Sequence, residues 1–395
     1  MQVTEQALLN LLSAGWRFPG ANNLSTRGDE PSADRYGRVE RLSHLFAQTY
    51  GALPLLTGPR GVFPVATVVA GKNGTLQGLG GPATGRRVLT HSPPPLQIER
   101  RPDWWDSPTY VLRELHIDSD NRVCSIDQTL GTYSETVATA DYLELEALAA
   151  SQHDSPSIDM MPYRKSLLSH SSPRDCLFAG GGIVATIGIS VLLVFVRDGV
   201  PWALIERRPK RVGPPAFMYH VIPAMLHQPM QTQSGALKHV TMLDSVFREY
   251  LEELFGMPEY HADKPDSSLP QVDAHPSFKY LTSMLEAGNA KLLCTGVAFN
   301  LLNHRPDVCA LLLINEERWF RDEAVRIPLS SWPSASSDQL SQSLTTALPL
   351  ASPLWLEVLQ PGDVSPPGAA SIVLGMRRAF ELLKQAPPEW LCRFN

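Results

Sequence analysis

The chain has 395 residues and a formal net charge of −6 at pH 7, with 34 Lys and Arg against 40 Asp and Glu. This length supports two domains with separate cores, and the acidic balance argues against a general nucleic-acid binder, which needs a basic face. The five scattered cysteines include no C-x-x-C pair, so we expect reduced thiols in a cytoplasmic protein and no structural zinc.

The first 150 residues have the pattern of a small α+β domain. The N-terminus lacks a basic segment followed by a long apolar run, so we expect no signal peptide. No motif in this half points to a specific chemistry. Periodicity predicts helices at residues 4–15, 38–50 and Ala138–Ala150, and strands at Gly61–Val69, Thr109–Asp118 and Arg122–Gln128.

Two stretches of this half allow a functional interpretation beside a structural one. Gly71–Arg87 is rich in glycine and is either a phosphate-binding loop or a set of surface turns. It lacks the G-x-x-x-x-G-K-[ST] order, which favours turns. Arg100–Asp106 contains adjacent Trp104 and Trp105, which either stack on a base or sugar or pack in a core, and packing is favoured.

Residues 151–176 are rich in Ser, Pro, His and Asp, a composition that predicts a linker. The next stretch, Leu177–Val196, has no charge and is about long enough to span a bilayer. However, it runs into Asp198-Gly199 and a second apolar run, a pattern typical of a β-hairpin. We therefore predict paired strands here, with a membrane helix as the alternative.

The segment Thr241–Met257 has the clearest pattern in the chain. Its apolar residues recur at helical spacing, Thr241 and Asp244 form a capping-box-like start, and Gly256 is placed to end the helix. The opposite face carries three glutamates one turn apart, which can converge on one hard cation. The alternative is a solvated acidic face. The three residues are Glu249, Glu252 and Glu253.

The string from Arg248 to Gly256 resembles the R-E-U-x-E-E-x-G core of the Nudix hydrolase box, in which U is a bulky apolar residue. The resemblance implies that Glu249, Glu252 and Glu253 hold Mg²⁺ or Mn²⁺, and that Glu249 also acts as a catalytic base. It also implies that Arg248 orients a carboxylate. The run His220–Ala224 is similar to the strand and turn that precede the box in that family.

The sequence departs from the full box at three places. Ser234 (beside Gly235) and Val240 stand where the family has a glycine and a glutamate. Two residues rather than one separate Glu253 from Gly256. Asp244 lies one turn before Arg248, so we expect it to replace the missing glutamate as the partner of the arginine. A Val240→Glu substitution is then expected to be neutral or mildly beneficial if that position faces the site.

The resemblance covers about residues 177–325 and extends to a predicted C-terminal helix at Pro366–Gln385. It implies an α/β fold, a Nudix-like α/β/α sandwich with a mixed sheet over 177–395, preceded by the smaller α+β domain. A Ser-rich insertion is predicted at 329–352. Arg207 and Arg208, at the end of the second hairpin strand, are candidates for binding substrate phosphates, with a solvated strand end as the alternative.

Two functions follow from the resemblance. The first is Mg²⁺-dependent hydrolysis of a nucleoside diphosphate linked to another group, because such a reaction needs a cation and a base to activate water. The second is a non-catalytic Nudix-like sensor that binds a nucleotide or related metabolite, which the missing glutamate favours. Either way the expected partner is a small nucleotide-like molecule rather than a nucleic acid or a membrane.

Overall fold

A computed structural model describes residues 32–50, 53–87, 107–207, 218–231, 236–259, 271–327, 329 and 344–395. Several predicted features lie outside these residues. They are the helix at 4–15, the tryptophan pair Trp104 and Trp105, Arg208, the positions Ser234 and Gly235, and most of the Ser-rich insertion at 329–352.

Helices and strands occur in runs along the described chain. The strands are β1 (Leu55–Gly58), β2 (Gly61–Val69), β3 (Pro108–Ile117), β4 (Val123–Thr132), β5 (Gly188–Arg197), β6 (Val200–Arg207), β7 (Tyr219–Val221), β8 (Ala224–Leu226), β9 (Met230–Gln231), β10 (Leu237–Lys238), β11 (Ala290–Asn300), β12 (Pro306–Ile314) and β13 (Leu344–Pro349). The helices are α1 (Ser32–Tyr50), α2 (Tyr133–Thr136), α3 (Tyr142–Ala150), α4 (Pro162–His170), α5 (Pro173–Phe178), α6 (Met242–Phe255), α7 (Pro276–Glu286), α8 (Glu317–Asp322), α9 (Trp355–Val358), α10 (Pro366–Leu383) and α11 (Glu389–Cys392).

The main sheet has nine strands in the described part of the chain. Its path runs β1-β2-β11-β12-β5-β6-β13, with β7 beside β6 and β8 beside β5. The β12–β5 pair is parallel and the other pairs are antiparallel, so the sheet is mixed. The predicted hairpin is confirmed, since β5 and β6 pair around a turn in which Asp198 and Gly199 both have positive φ.

The two strands of this hairpin separate at their far ends, and β7 and β8 fill the gap. β8 pairs with the beginning of β5, and β7 pairs with the end of β6. Consequently Leu177–Val196 is not one continuous helix, because its second half is a central strand. No helix in the described residues has the length and apolar character needed to cross a bilayer.

The sheet separates two apolar cores because successive strand residues point to opposite faces. In β5, Val191 belongs to one core and Leu192 to the other. Helices α6 and α7 pack in the first core, and α10 packs in the second through residues such as Ile372 and Met376. The fold is therefore α/β with a mixed sheet, as the sequence predicts, and it has helices on both faces.

The predicted boundary between residues 1–150 and 177–395 does not separate two sheets. β2 pairs with β11 in continuous register from Val65 to Val69, so the N-terminal half supplies an interior strand of the main sheet. The reason is burial: Phe63, Val65 and Ala66 are almost fully buried. A strand that is apolar on both faces needs neighbours above and below it as well as on each side.

The segment 151–176, which was predicted as a linker, is mostly helical and partly buried. Its prolines and serines occupy helix starts: Pro162 and Pro173 lie in the first turns of α4 and α5, and the Ser172 side chain caps α5. Arg164 is fully buried within this segment. Its guanidinium donates to the Tyr50 hydroxyl at 2.8 Å and to the Leu301 carbonyl at 2.9 Å, which ties α4 to both halves of the chain.

The N-terminal half also contains a smaller sheet, the β3–β4 hairpin. Strand β3 matches the predicted strand to within one residue at each end, and β4 runs four residues beyond its predicted end. The glycine-rich stretch Gly71–Arg87 runs beside β4, where the Ile126 amide donates to the Leu79 carbonyl at 2.7 Å and the Arg87 amide donates to the Leu130 carbonyl at 2.8 Å. These backbone hydrogen bonds show that the glycine-rich stretch has a structural role, because it packs beside β4. A π-helical turn joins α2 to α3 after the hairpin.

Candidate functional site

Helix α6 begins and ends where the sequence predicts. The Thr241 hydroxyl accepts from the Asp244 amide at 3.1 Å, and the Asp244 carboxylate accepts from the Thr241 amide at 3.0 Å, which completes a capping box. Gly256 ends the helix with φ of 66°. Four residues of the apolar stripe are fully buried, namely Val246, Tyr250, Leu251 and Leu254. Tyr250 accepts a hydrogen bond from the Trp319 indole at 3.0 Å.

Arg248 lies between two of the predicted site carboxylates. Its guanidinium is 3.8 Å from Glu249 and 3.6 Å from Glu252, the second as an i,i+4 pair. The side chains are 6%, 17% and 7% exposed for Arg248, Glu249 and Glu252, so the charges are largely removed from water. The helix therefore presents a cation flanked by two carboxylates in a poorly solvated setting, where electrostatic interactions are strong.

The third carboxylate is held from the sheet side. Glu253 accepts a hydrogen bond from the Ala224 backbone amide at 3.0 Å. Ala224 is the first residue of β8, which lies between the separated ends of the main hairpin. A carboxylate that accepts a hydrogen bond from a backbone amide is held in position, so Glu253 attaches the C-terminal end of α6 to the centre of the sheet.

The three glutamates of α6 do not form a preformed metal-binding site. In the described residues, one set of three side chains has its His, Asp and Glu ligand atoms within 4.8 Å of one another, and that set is Glu114, His116 and Asp127 on the β3–β4 hairpin. Sequence reasoning missed this set because its members become neighbours only through strand pairing. The α6 glutamates lie three and four residues apart on one face of the helix, but their ligand atoms are not all within 4.8 Å of one another.

The predicted partner of Arg248 is wrong. Asp244 is exposed and its carboxylate bonds to Thr241 as part of the capping box, whereas the ion pairs of Arg248 are with Glu249 and Glu252. Val240 does not face the site either. It is 2% exposed and belongs to the apolar core beside α6. Thr241 is closer to Asp244 in sequence than Arg248 is, and its amide would otherwise lack a hydrogen-bond acceptor at the start of the helix. The capping interaction therefore determines the orientation of the Asp244 side chain.

His227 is a buried neighbour of the site that sequence reasoning missed. Its ring contacts Tyr110, with centroids 4.4 Å apart, and its Nδ1 lies 2.9 Å from the Ser245 hydroxyl on α6. Its Nε2 is buried and has no hydrogen-bond partner among the residues that the structure describes. Burial, together with electrostatic interactions with Arg248 and His239, lowers the pKa of His227 from 6.5 to about 3. The imidazole is therefore neutral beside Arg248.

The predicted phosphate-binding residues lie at the end of β6. Arg207 is half-buried, and its guanidinium lies over the Tyr219 ring at 5.6 Å from the centroid. Arg208 lies outside the described residues. One position earlier, Glu206 is opposite His220 on β7, and both are buried. The strand end therefore combines a cation with two buried polar residues near the start of β8.

No known family model matches this sequence, and no curated protein shows a significant match to it. The interpretation of the site therefore depends on its own residues and their arrangement.

Proposed function

We propose that residues 177–395 form a Nudix-like α/β/α sandwich and that α6 carries its hydrolytic site. The observation that carries this proposal is the placement of Arg248 between Glu249 and Glu252, with Glu253 fixed to the Ala224 amide. The mixed sheet with helices on both faces and the insertion of β7–β8 beside the helix support it. The proposed reaction is hydrolysis of a nucleoside diphosphate linked to another group.

The donor set suits a hard cation. Three carboxylates at spacings of three and four residues on one helix face supply only oxygen ligands, which Mg²⁺ and Mn²⁺ prefer. Glu249, Glu252 and Glu253 would hold the ion, which would neutralise charge on the departing phosphate when bound. The low exposure of Glu249 and Glu252 supports this assignment, because nearly buried carboxylates are retained where their charge is compensated.

Glu249 has a second role in this proposal. Besides holding the ion, it takes the proton of the attacking water, since it is the more exposed of the two carboxylates beside Arg248. Arg248 holds Glu249 and Glu252 in fixed positions. Arg207 contributes positive charge toward the phosphates from the end of β6, and we propose the same role for Arg208.

A second function, binding without turnover, has one specific observation in its favour. The family's upstream glutamate is replaced by buried Val240, and the three remaining carboxylates are already paired to Arg248 or to the Ala224 amide. A site that lacks one carboxylate binds a nucleotide through its cations and loses the geometry needed for hydrolysis. In this second proposal the ligand is the same chemical class and the N-terminal half transmits the signal.

A release assay separates the two functions. The full chain is incubated with nucleoside diphosphate derivatives and Mg²⁺ or Mn²⁺, and the release of phosphate or nucleoside monophosphate is measured. Hydrolysis predicts that Glu249→Gln and Glu252→Gln lower kcat by about two orders of magnitude or more while ligand affinity persists, because these carboxylates act mainly in the transition state. Glu286→Gln, an exposed acid at the end of α7, is the matched control.

Tight binding of one derivative with no release from any of them would reject hydrolysis and leave the binding function. Equal kcat in the wild type and both site variants would show that the activity arises elsewhere. Absence of both binding and release would reject the nucleotide-like ligand altogether.

A further inference from the structure

The β3–β4 hairpin brings three metal-binding side chains together on its outer surface. Glu114 and Asp127 are direct partners across the two strands, and the His116 Nε2 lies 3.3 Å from the Asp127 carboxylate. One ligand atom from each of the three residues lies within 4.8 Å of the other two. We propose that this set, which we call the hairpin triad, binds a divalent transition-metal ion of the Zn²⁺ class.

The backbone beneath the hairpin triad is well supported. Leu115 and Ile126, which alternate with the triad along the two strands, are 4% and 1% exposed. The Ile126 amide also donates to the Leu79 carbonyl at 2.7 Å, so a third segment runs beside β4. Because the strands are fixed from below, the backbone that carries the three ligands needs little reorganisation to bind an ion.

The charges of the hairpin triad also favour a cation. Two carboxylates directly opposite each other in an antiparallel pair repel one another. In the part of the chain that the structure describes, no Lys or Arg forms an ion pair with Glu114 or Asp127. The imidazole of His116 is 3.3 Å from the carboxylate of Asp127, and Glu114 forms no ion pair with a described residue. A divalent ion would remove this repulsion and satisfy all three side chains.

The donor set determines the class of metal. One imidazole nitrogen with two carboxylate oxygens suits Zn²⁺, Fe²⁺, Ni²⁺ or Cu²⁺, whereas Mg²⁺ and Ca²⁺ prefer oxygen alone. Bonds of about 2.0–2.2 Å place two ligands of one ion no more than ~4.4 Å apart. A spread of 4.8 Å therefore closes with side-chain shifts below ~1 Å. Three protein ligands leave at least one position for water or an outside ligand.

The hairpin triad is separate from the carboxylates of α6, and its test does not depend on hydrolysis. The full chain is titrated with Zn²⁺ by isothermal titration calorimetry, with far-UV circular dichroism of the metal-free proteins as the folding check. We expect His116→Ala and Asp127→Asn to weaken one Zn²⁺ site by about tenfold or more, since even outer-shell changes have effects of this size. Excess Mg²⁺ should not displace that ion.

Two controls identify the ligands. His44→Ala removes an exposed histidine that also has a carboxylate neighbour, Glu40 at 3.8 Å, and should leave Zn²⁺ binding unchanged. Cys124→Ser removes an exposed thiol on β4 and should also leave it unchanged. Equal Zn²⁺ affinity in the wild type and His116→Ala, or loss of the site in Cys124→Ser, would overturn the proposal. A wild type that binds no Zn²⁺ would reduce the triad to a His–Asp ion pair.

Discussion

Acidification should destabilise this protein in a manner that depends on His227. The imidazole is fully buried between Tyr110 and α6, and burial with the nearby charge of Arg248 lowers its pKa from 6.5 to about 3. In the unfolded chain the same group has its ordinary pKa. The unfolded chain therefore takes up a proton at a pH where the folded protein still excludes it.

The sign and size follow from proton linkage. Since the folded pKa lies below the unfolded pKa, the contribution of His227 to stability is fully present above about pH 6.5 and is lost as the pH falls toward about 3. Each pH unit within this window costs up to about 1.4 kcal/mol. At about pH 4.5, two units below the unfolded pKa, the expected loss from this one side chain is ~2.7 kcal/mol.

The assay compares the wild type with His227→Gln, an uncharged residue that can keep a hydrogen bond to Ser245. Free energies of unfolding in urea are measured between about pH 7.5 and 4.5. Other groups titrate too: burial lowers the pKa of His304 and raises those of Glu144 and Glu146 to about 7. These contributions are common to both proteins and cancel in the difference.

We expect the wild type to lose about 2.7 kcal/mol more than His227→Gln across this range. His44→Gln, which replaces an exposed histidine, should follow the wild-type curve. Parallel curves for the wild type and His227→Gln would refute the reasoning, because they would mean that His227 is protonated equally in the folded and unfolded states.

Three further predictions concern the N-terminal end of α6 and the segment that joins the two halves of the chain. Val240→Glu should lower the free energy of urea unfolding by several kcal/mol, because it puts a carboxylate at a position 2% exposed, and Val240→Ile should not. Asp244→Asn should cost about 1 kcal/mol of stability because it weakens the cap with Thr241. It should leave Arg248 in place, so any turnover should persist. A large loss of turnover would show that Asp244 is the partner of Arg248 after all. Arg164→Met removes charged hydrogen bonds to the Tyr50 hydroxyl and the Leu301 carbonyl and should cost about 3–5 kcal/mol while unfolding stays a single transition. Two transitions by circular dichroism would show that the halves fold separately.

Sequence alone determined the features that depend on neighbours along the chain. The capping box of Thr241 and Asp244 and the left-handed Gly256 fix both ends of α6, because each acts within one helical turn. The turn at Asp198 and Gly199 likewise fixed the β5–β6 hairpin. The closeness of Arg248 to Glu252 follows from the i,i+4 spacing of any helix.

Tertiary structure decided everything that joins distant segments. The same four-residue logic that placed Arg248 also predicted its pairing with Asp244, and it was wrong there because the cap takes that carboxylate. The pairing of β2 with β11, the anchoring of Glu253 on Ala224 and the meeting of Glu114 with Asp127 leave no local pattern. Local hydrogen bonding and periodicity act over a few residues, whereas burial of apolar strands selects partners regardless of their separation along the chain.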